Sequence, residues 1–332
     1  MPRRTQRARH AHPVRRTTRR PRVALAAAAL ALAGAAGCGS TPGSEGAAGG
    51  GGADAIGVVA AFYPLEHAVR EIGGDRVRVT GLTKPGAEPH DLEMTPKDVA
   101  AVTESRLAVY EKGMQPALDK AISDQGLQQA FDVSGPADLS LSEPEGAGHE
   151  GHDHGTEAGA TDPHFWLDPI RYQKVAQAIA TRLGEVDPDH KAEYDRNAQR
   201  FVADLGALDA EFTAGLARCA SDDLVTSHAA FAYLADRYGL HQVPIAGLEP
   251  DAEPDPARLA QISRFVRTNK VGTIYTETLA TPAVAKTVAG ETGAKMAVLD
   301  PIEGLTDSSQ GSTYLEIMRA NLAALKKGQG CS

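Results

Sequence analysis

Four residues of this chain carry side chains suited to holding a metal ion and stand at comparable places in the sequence: His90, His164, His228 and Asp300. Three imidazoles and one carboxylate offer borderline nitrogen donors and one anionic oxygen, a closed tetrahedral set suited to Zn2+. The carboxylate also brings the charge of a bound divalent ion down to about +1, which eases its burial. The four are separated by 74, 64 and 72 residues. No compact finger or His-Glu-x-x-His helix has such spacing, so only tertiary structure brings them together. Spacing alone is weak evidence, and each histidine taken singly also reads as a satisfied structural residue.

Position in the chain is the better argument. His90 lies in a Gly/Pro-rich loop after a strand read at 77–82, and His164 precedes Phe165-Trp166-Leu167-Asp168, just ahead of a helix. His228 ends a strand read at 223–227 and Asp300 ends one read at 295–299. All four stand where an α/β lobe presents side chains, at strand exits or helix starts. His67, His190 and His241 fall within or beside ordinary helix and strand patterns instead. Glu277 ends another strand and reads either as a group lining the cleft behind a ligand or as a structural anion, and not as a ligand itself.

The elements that must position these residues follow from periodicity. Apolar runs at 56–62, 77–82 and 106–110 read as strands, with a weaker one at 131–133 and helical patterns at 65–72, 96–104 and 115–125. Asp168-Pro169 and Asp187-Pro188 each pair an N-cap with a first-turn proline. The second of these opens a pattern from 189 to about 217, with Tyr194, Phe201, Leu205, Leu208 and Phe212 at helical spacing. A helix of about 28 residues is near 40 Å long, more than one lobe needs and suited to a rod between two. Strands at 223–227, 242–246, 272–276 and 295–299 then alternate with helices at 229–238, 255–269, 282–292 and 314–327. The expected fold is therefore α/β: two parallel-sheet lobes, 55–186 and 218–332, joined by a long helix within 187–217. The site is expected in the cleft between them, beyond the carboxyl ends of the strands.

Charge divides the chain unevenly. The 332 residues carry 34 Lys+Arg and 43 Asp+Glu, a net of −9, but residues 1–37 hold nine Arg and no acid, leaving −18 for the remainder. That sign disfavours nucleic acid and anionic membrane surfaces and favours cations. An Arg-rich stretch to Arg22, an apolar run at 23–36 and then Cys38 have the order of a secretory signal peptide, and the run is too short to span a bilayer. Ala-Ala-Gly-Cys at 35–38 resembles a bacterial lipobox, with Ala35 where Leu or Val is usual. Cys38 would then carry the lipid anchor, and a simple secreted or periplasmic chain is the alternative. Residues 38–54 read as a flexible tether, and the body is expected outside the cytoplasm, on the outer face of the membrane. There, Cys219 and Cys331 form an even pair whose default reading is a disulfide, against two buried thiols. A Gly/Ala/Glu-rich segment at about 140–160 carries His149, His152 and His154. Its composition cannot bury a core, so it reads as a mobile loop, with a solvated spacer carrying incidental histidines as the bland alternative.

Four stretches together resemble a known family: Gly-Ala-Glu-Pro-His-Asp at 86–91 with Thr-Pro-Lys-Asp at 95–98; Asp-Pro-His-Phe-Trp-Leu-Asp-Pro at 162–169; Thr-Ser-His-Ala-Ala-Phe at 226–231; and Leu-Asp-Pro-Ile at 299–302 with Tyr314 and Asn321 beyond. From about residue 56 onward the chain is similar to the zinc and manganese solute-binding lipoproteins of ABC transporters. The resemblance implies metal ligands at His90, His164, His228 and Asp300, two lobes bridged by a rigid helix, small changes on metal binding and delivery of the ion to a membrane permease. It also implies that the loop carrying His149, His152 and His154 is an auxiliary capture or sensing site, which three histidines on a flexible loop would make weak. The chain is expected to be a monomer that touches the membrane only through its anchor. Manganese members tend to replace the third histidine by Glu, so His228 favours Zn2+ over Mn2+; a manganese or iron carrier is the alternative within the class. A secreted zinc hydrolase is the alternative outside it, in which water would fill one of the four positions. The closed four-ligand set leaves no such position, and no Ser/His/Asp elbow appears, so no enzyme is expected. A surface adhesin finds no positive feature in the sequence.

Overall fold

A helix separates each apolar run from the next, so neighbouring strands are required to run parallel. They do so in the computed structural model, which describes residues 54–142 and 160–332. Residues 1–53, which include Cys38 and most of the stretches read as leader and tether, and the His149, His152, His154 run lie outside the described residues. The first half comprises β1 (Ile56–Ala60), α1 (Tyr63–Gly73), β2 (Val77–Gly81), α2 (Pro96–Glu104), β3 (Leu107–Tyr110), α3 (Pro116–Gln125), β4 (Ala130–Asp132) and α4 (Ser134–Ala137). Two long helices follow, α5 (Pro169–Val186) and α6 (Lys191–Leu216). The second half is β5 (Asp223–Thr226), α7 (Ala232–Tyr238), β6 (His241–Pro244), α8 (Pro256–Asn269), β7 (Thr273–Thr276), α9 (Ala283–Thr292), β8 (Lys295–Val298) and α10 (Tyr314–Gly328). The sheets have the same order, β2-β1-β3-β4 and β6-β5-β7-β8. In each, the chain changes direction across the first strand, so the exits of β1 and β3, and of β5 and β7, frame a crevice.

Local chemistry explains the helix starts. Thr95 and Asp98 form a reciprocal capping box ahead of α2, Asp168 accepts from the Ile170 and Arg171 N–H groups at α5, and Asp255 does the same for Arg258 at α8. One expected helix differs. The pattern at 229–238 becomes helical only at Ala232, because the Ala229 N–H donates to Gly247 O and draws the loop after β5 toward the loop after β6.

The long helix is there as the spacing required. α6 has 26 residues, about 39 Å, and buries Tyr194, Phe201, Leu205, Leu208, Phe212 and Leu216 along one stripe. It packs on α5 and α1 of the first half and on α7 and α10 of the second. Asn197 donates to Ile72 O, and Asp209 accepts from Arg237 and Tyr238. One apolar core runs from Val58 and Phe62 through α6 to Phe231, Leu299 and Tyr314, and a smaller one of Val225, Ile262, Ile274 and Val288 lies under α8 and α9. Opening the two sheets like a hinge would expose that shared core at about 25 cal/mol per Å2, so large domain rotations are opposed.

Two features of this body give testable stabilities. Cys219, just after α6, and Cys331, just after α10, are joined in a disulfide that closes a separation of 112 residues. Cys331→Ser is expected to lower the unfolding free energy by about 2–5 kcal/mol, read from urea denaturation against the parent chain. His67 is packed among Tyr63, Phe201 and Tyr314, and burial pushes its imidazole down to about 4. The unfolded chain binds that proton more readily, so His67 stability is complete above about pH 6.5 and is lost as pH falls toward 4. By pH 4.5 the loss should approach about 3 kcal/mol. Denaturation of His67→Phe at pH 7 and pH 4.5 checks this, since the variant should lack that share of the acid sensitivity.

Candidate metal centre

His90 is carried by the loop after β2. Gln115, just ahead of α3, donates to Thr83 Oγ1 (2.9 Å) and Pro89 O (3.0 Å) and so ties that loop to the exit of β3. The His90 side chain is 5% exposed. His164 is fully buried at the start of a 3-10 turn over Phe165–Leu167. Asp162 Oδ1 lies 2.8 Å from its backbone N and 2.8 Å from its ring Nδ1. Because an ionised carboxylate only accepts, the Nδ1 proton is committed there and Nε2 faces the cleft. His228 follows β5, its carbonyl accepting from Thr226 Oγ1 (2.7 Å) and Gln242 Nε2 (3.1 Å). Glu277, at the exit of β7, accepts from the His228 N–H (3.0 Å) and lies 2.5 Å from Nδ1. Again Nε2 is left facing inward.

The three Nε2 atoms converge on a carboxylate, and it belongs to Glu303. Glu303 Oε1 stands 3.0 Å from His164 Nε2, 3.3 Å from His228 Nε2 and 3.7 Å from His90 Nε2. One donor atom from each of His90, His164, His228 and Glu303 lies within 4.8 Å of all the others. His90 Nε2, His228 Nε2 and Glu303 Oε2 are buried without a hydrogen-bond partner. Buried polar atoms left open are costly, and several aimed at one point are satisfied together by a cation. Three imidazole nitrogens and a carboxylate oxygen make a set that Zn2+ takes in four-coordinate sites.

The expectation of Asp300 in the fourth position is corrected here. Asp300 is buried, but its Oδ1 accepts from the Ile302 N–H at 2.8 Å, and its backbone is held by Asn321, which accepts from Asp300 N (2.9 Å) and donates to Asp300 O (2.7 Å). That oxygen is thus turned back onto its own loop, Oδ2 is buried without a hydrogen-bond partner, and Asp300 stands outside the converging group of donors. Ile302 then takes φ +60°, a left-handed conformation that costs a β-branched residue on the order of 1–3 kcal/mol, and Glu303 follows it into the cleft. The available sequence signal was a second acid three residues past Asp300 in the same strand-exit loop. Asp162, also missed, had the signal of standing two residues before His164.

Electrostatics match the geometry. Burial pulls the His164 imidazole down, yet Asp162 on one nitrogen and Glu303 on the other outweigh it and hold it up at about 9. Burial likewise opposes His228, and Glu277 with Glu303 holds it well above its ordinary value. Burial pushes Glu303 up, but His228, His164 and His90 keep it well below the usual carboxylate range. The metal-free centre thus holds the Glu303 carboxylate against protonated imidazoles at His164 and His228, and a divalent cation would replace those protons with its own charge, so acid opposes binding.

A family profile described as ZnuA, zinc-uptake complex component A, periplasmic, matches residues 58–328. The chain belongs to the ZnuA family. It is 39% identical over 292 residues to the high-affinity zinc uptake system protein ZnuA of Bacillus subtilis, covering 86% of this chain and 90% of that one. It is 38% identical over 278 residues to the zinc-binding lipoprotein AdcA of Streptococcus pneumoniae, covering 82% of this chain but spanning only about half, 55%, of that relative. Among solved structures, Zn(II)-bound AdcA of S. pneumoniae superposes with TM-score 0.69 at 35% identity, covering 83% of this chain and 58% of that one. The laminin-binding protein of Streptococcus agalactiae, described as having adhesin and metal transporting activity, superposes with TM-score 0.73 at 33% identity, covering 83% and 99%. The ZnuA family fold accounts for the paired sheets and the long helix, with the histidine cluster lying between their strand exits.

Proposed function

We propose that this chain is an extracytoplasmic solute-binding protein that captures Zn2+ on His90, His164, His228 and Glu303 and delivers it to the permease of an ABC importer. The observation that carries this reading is the convergence of three Nε2 atoms and one carboxylate in a buried cleft, with His90 Nε2, His228 Nε2 and Glu303 Oε2 left without a hydrogen-bond partner. Nitrogen-rich ligation favours zinc over manganese, which prefers oxygen. Four protein donors leave no position for an attacking water, so the role is carriage and not catalysis. The names of the B. subtilis and S. pneumoniae relatives support both the metal and the uptake system. Cys38 is the proposed lipid anchor, in keeping with the lipoprotein description of the pneumococcal relative, and His149, His152 and His154 are proposed as accessory ligands.

Titration of the metal-stripped chain against a chromophoric chelator tests this. The expected result is a 1:1 zinc complex, much weaker binding of Mn2+ and no hydrolysis of ester or peptide substrates. Zinc-dependent turnover, or tighter binding of manganese than of zinc, would overturn it.

A further inference from the structure

We propose that Asp300 is a positioning residue: its side chain holds Ile302 in the left-handed conformation that aims Glu303 at the three imidazoles. The inference rests on Glu303 being a metal ligand, as argued under the proposed function. Among the described residues three non-glycine residues have positive φ: Asp138, Lys270 and Ile302. Asp138 and Lys270 are the C-caps of α4 and α8, where that conformation is usual. Ile302 caps no helix, is β-branched and is fully buried, so neither a helix end nor its own side chain favours its backbone angle.

What opposes relaxation is a series of hydrogen bonds. Asn321 clamps the Asp300 backbone at both N and O, Trp166 Nε1 donates to Pro301 O (2.7 Å), Asp300 Oδ1 accepts from Ile302 N (2.8 Å), and Gly86 N donates to Leu305 O (3.0 Å). The bond from Asp300 is the one that acts on the strained residue itself. A cavity of about 300 Å3, lined by Tyr63, His67, Lys84, Glu303, Gly304 and Leu305, flanks the turn. Packing therefore does not close this side of residues 303–305. Without the Asp300 acceptor, the Ile302 N–H is left buried and unpaired, and both that penalty and the strain are relieved when φ returns to a negative value. That change rotates the next peptide and carries Glu303 away from His164 and His228.

The test uses metal-stripped full-length variants, with zinc affinity from chelator competition and stability from thermal melts. Asp300→Ala should bind zinc about 10–100-fold more weakly. Asp300→Asn keeps the Oδ1 acceptor and should stay within a few-fold of the parent. Adding Ile302→Gly to Asp300→Ala should recover most of the affinity, because glycine takes positive φ unaided. Weakening by Asp300→Asn equal to that by Asp300→Ala would point to a charge or ligand role and overturn the inference. So would a fall in melting temperature with no change in affinity, or a double variant without recovery. Should Asp300→Ala alone fail to fold, a folded zinc-binding double variant supports the inference and an inactive one overturns it. Glu303→Gln in the same assay separates the two levels. If it leaves zinc affinity unchanged, the ligand assignment fails; if it weakens binding while Asp300→Ala does not, only the positioning role fails.

Discussion

Replacing His228 by Ala is expected to weaken zinc binding by roughly 10^2–10^3-fold while the chain still folds. Structural zinc sites with four donors bind with about 10–16 kcal/mol near neutral pH; one donor's share of that is about 2.5–4 kcal/mol, or two to three decades. The substitution also leaves Glu277 without the ring nitrogen it faces at 2.5 Å, at a cost to stability of about 1–3 kcal/mol. A body with two apolar cores and a disulfide should tolerate that loss. His241→Ala, at an exposed position at the start of β6 where the ring meets Asp223 and Phe265 and none of the four donors, serves as the control and should leave affinity unchanged. Chelator competition on both variants checks the contrast; equal affinities for His228→Ala and the parent chain would remove His228 from the site.

Stripping the metal is expected to lower the melting temperature by roughly 8–16 °C. A ligand at a thousand times its dissociation constant stabilises the folded state by about 4 kcal/mol, and each kcal/mol moves the melting point of a chain this size by about 2–4 °C. The reason for expecting the full linkage is topological. His90 and His164 hang from the first half, His228 and Glu303 from the second, so one ion cross-links loops that unfolding would separate. Scanning calorimetry with zinc, with chelator and with zinc restored gives the shift. In Glu303→Gln the shift should shrink, and a melting point insensitive to zinc would show that the four donors do not bind it together.

Much of the molecule was legible in advance because its signals are local. Thr95-Pro96 and Asp168-Pro169 announce helix starts through backbone groups within three residues, and the Tyr194 to Phe212 stripe announces α6 through contacts one turn apart. The three histidines could be singled out because strand exits and helix starts are themselves readable from periodicity and caps. The fourth donor was not readable in this way. Asp300 and Glu303 share one loop and one charge, and an argument from strand ends prefers the residue nearer the strand.

Alternation of short apolar runs with capped helices by itself determined an α/β chain with two parallel sheets, a helical rod and three imidazoles at strand exits or helix starts. Which carboxylate meets those imidazoles was decided only by tertiary structure. Asn321, from α10, and Trp166, from the segment before α5, set the course of the turn after β8, and Asp300 Oδ1 accepts from the Ile302 N–H. Those partners lie from 2 to 135 residues away in sequence, and the backbone angle they impose has no local signature in a β-branched residue. Donor type is a property of the residue, but the direction a donor faces is a property of everything that packs around it.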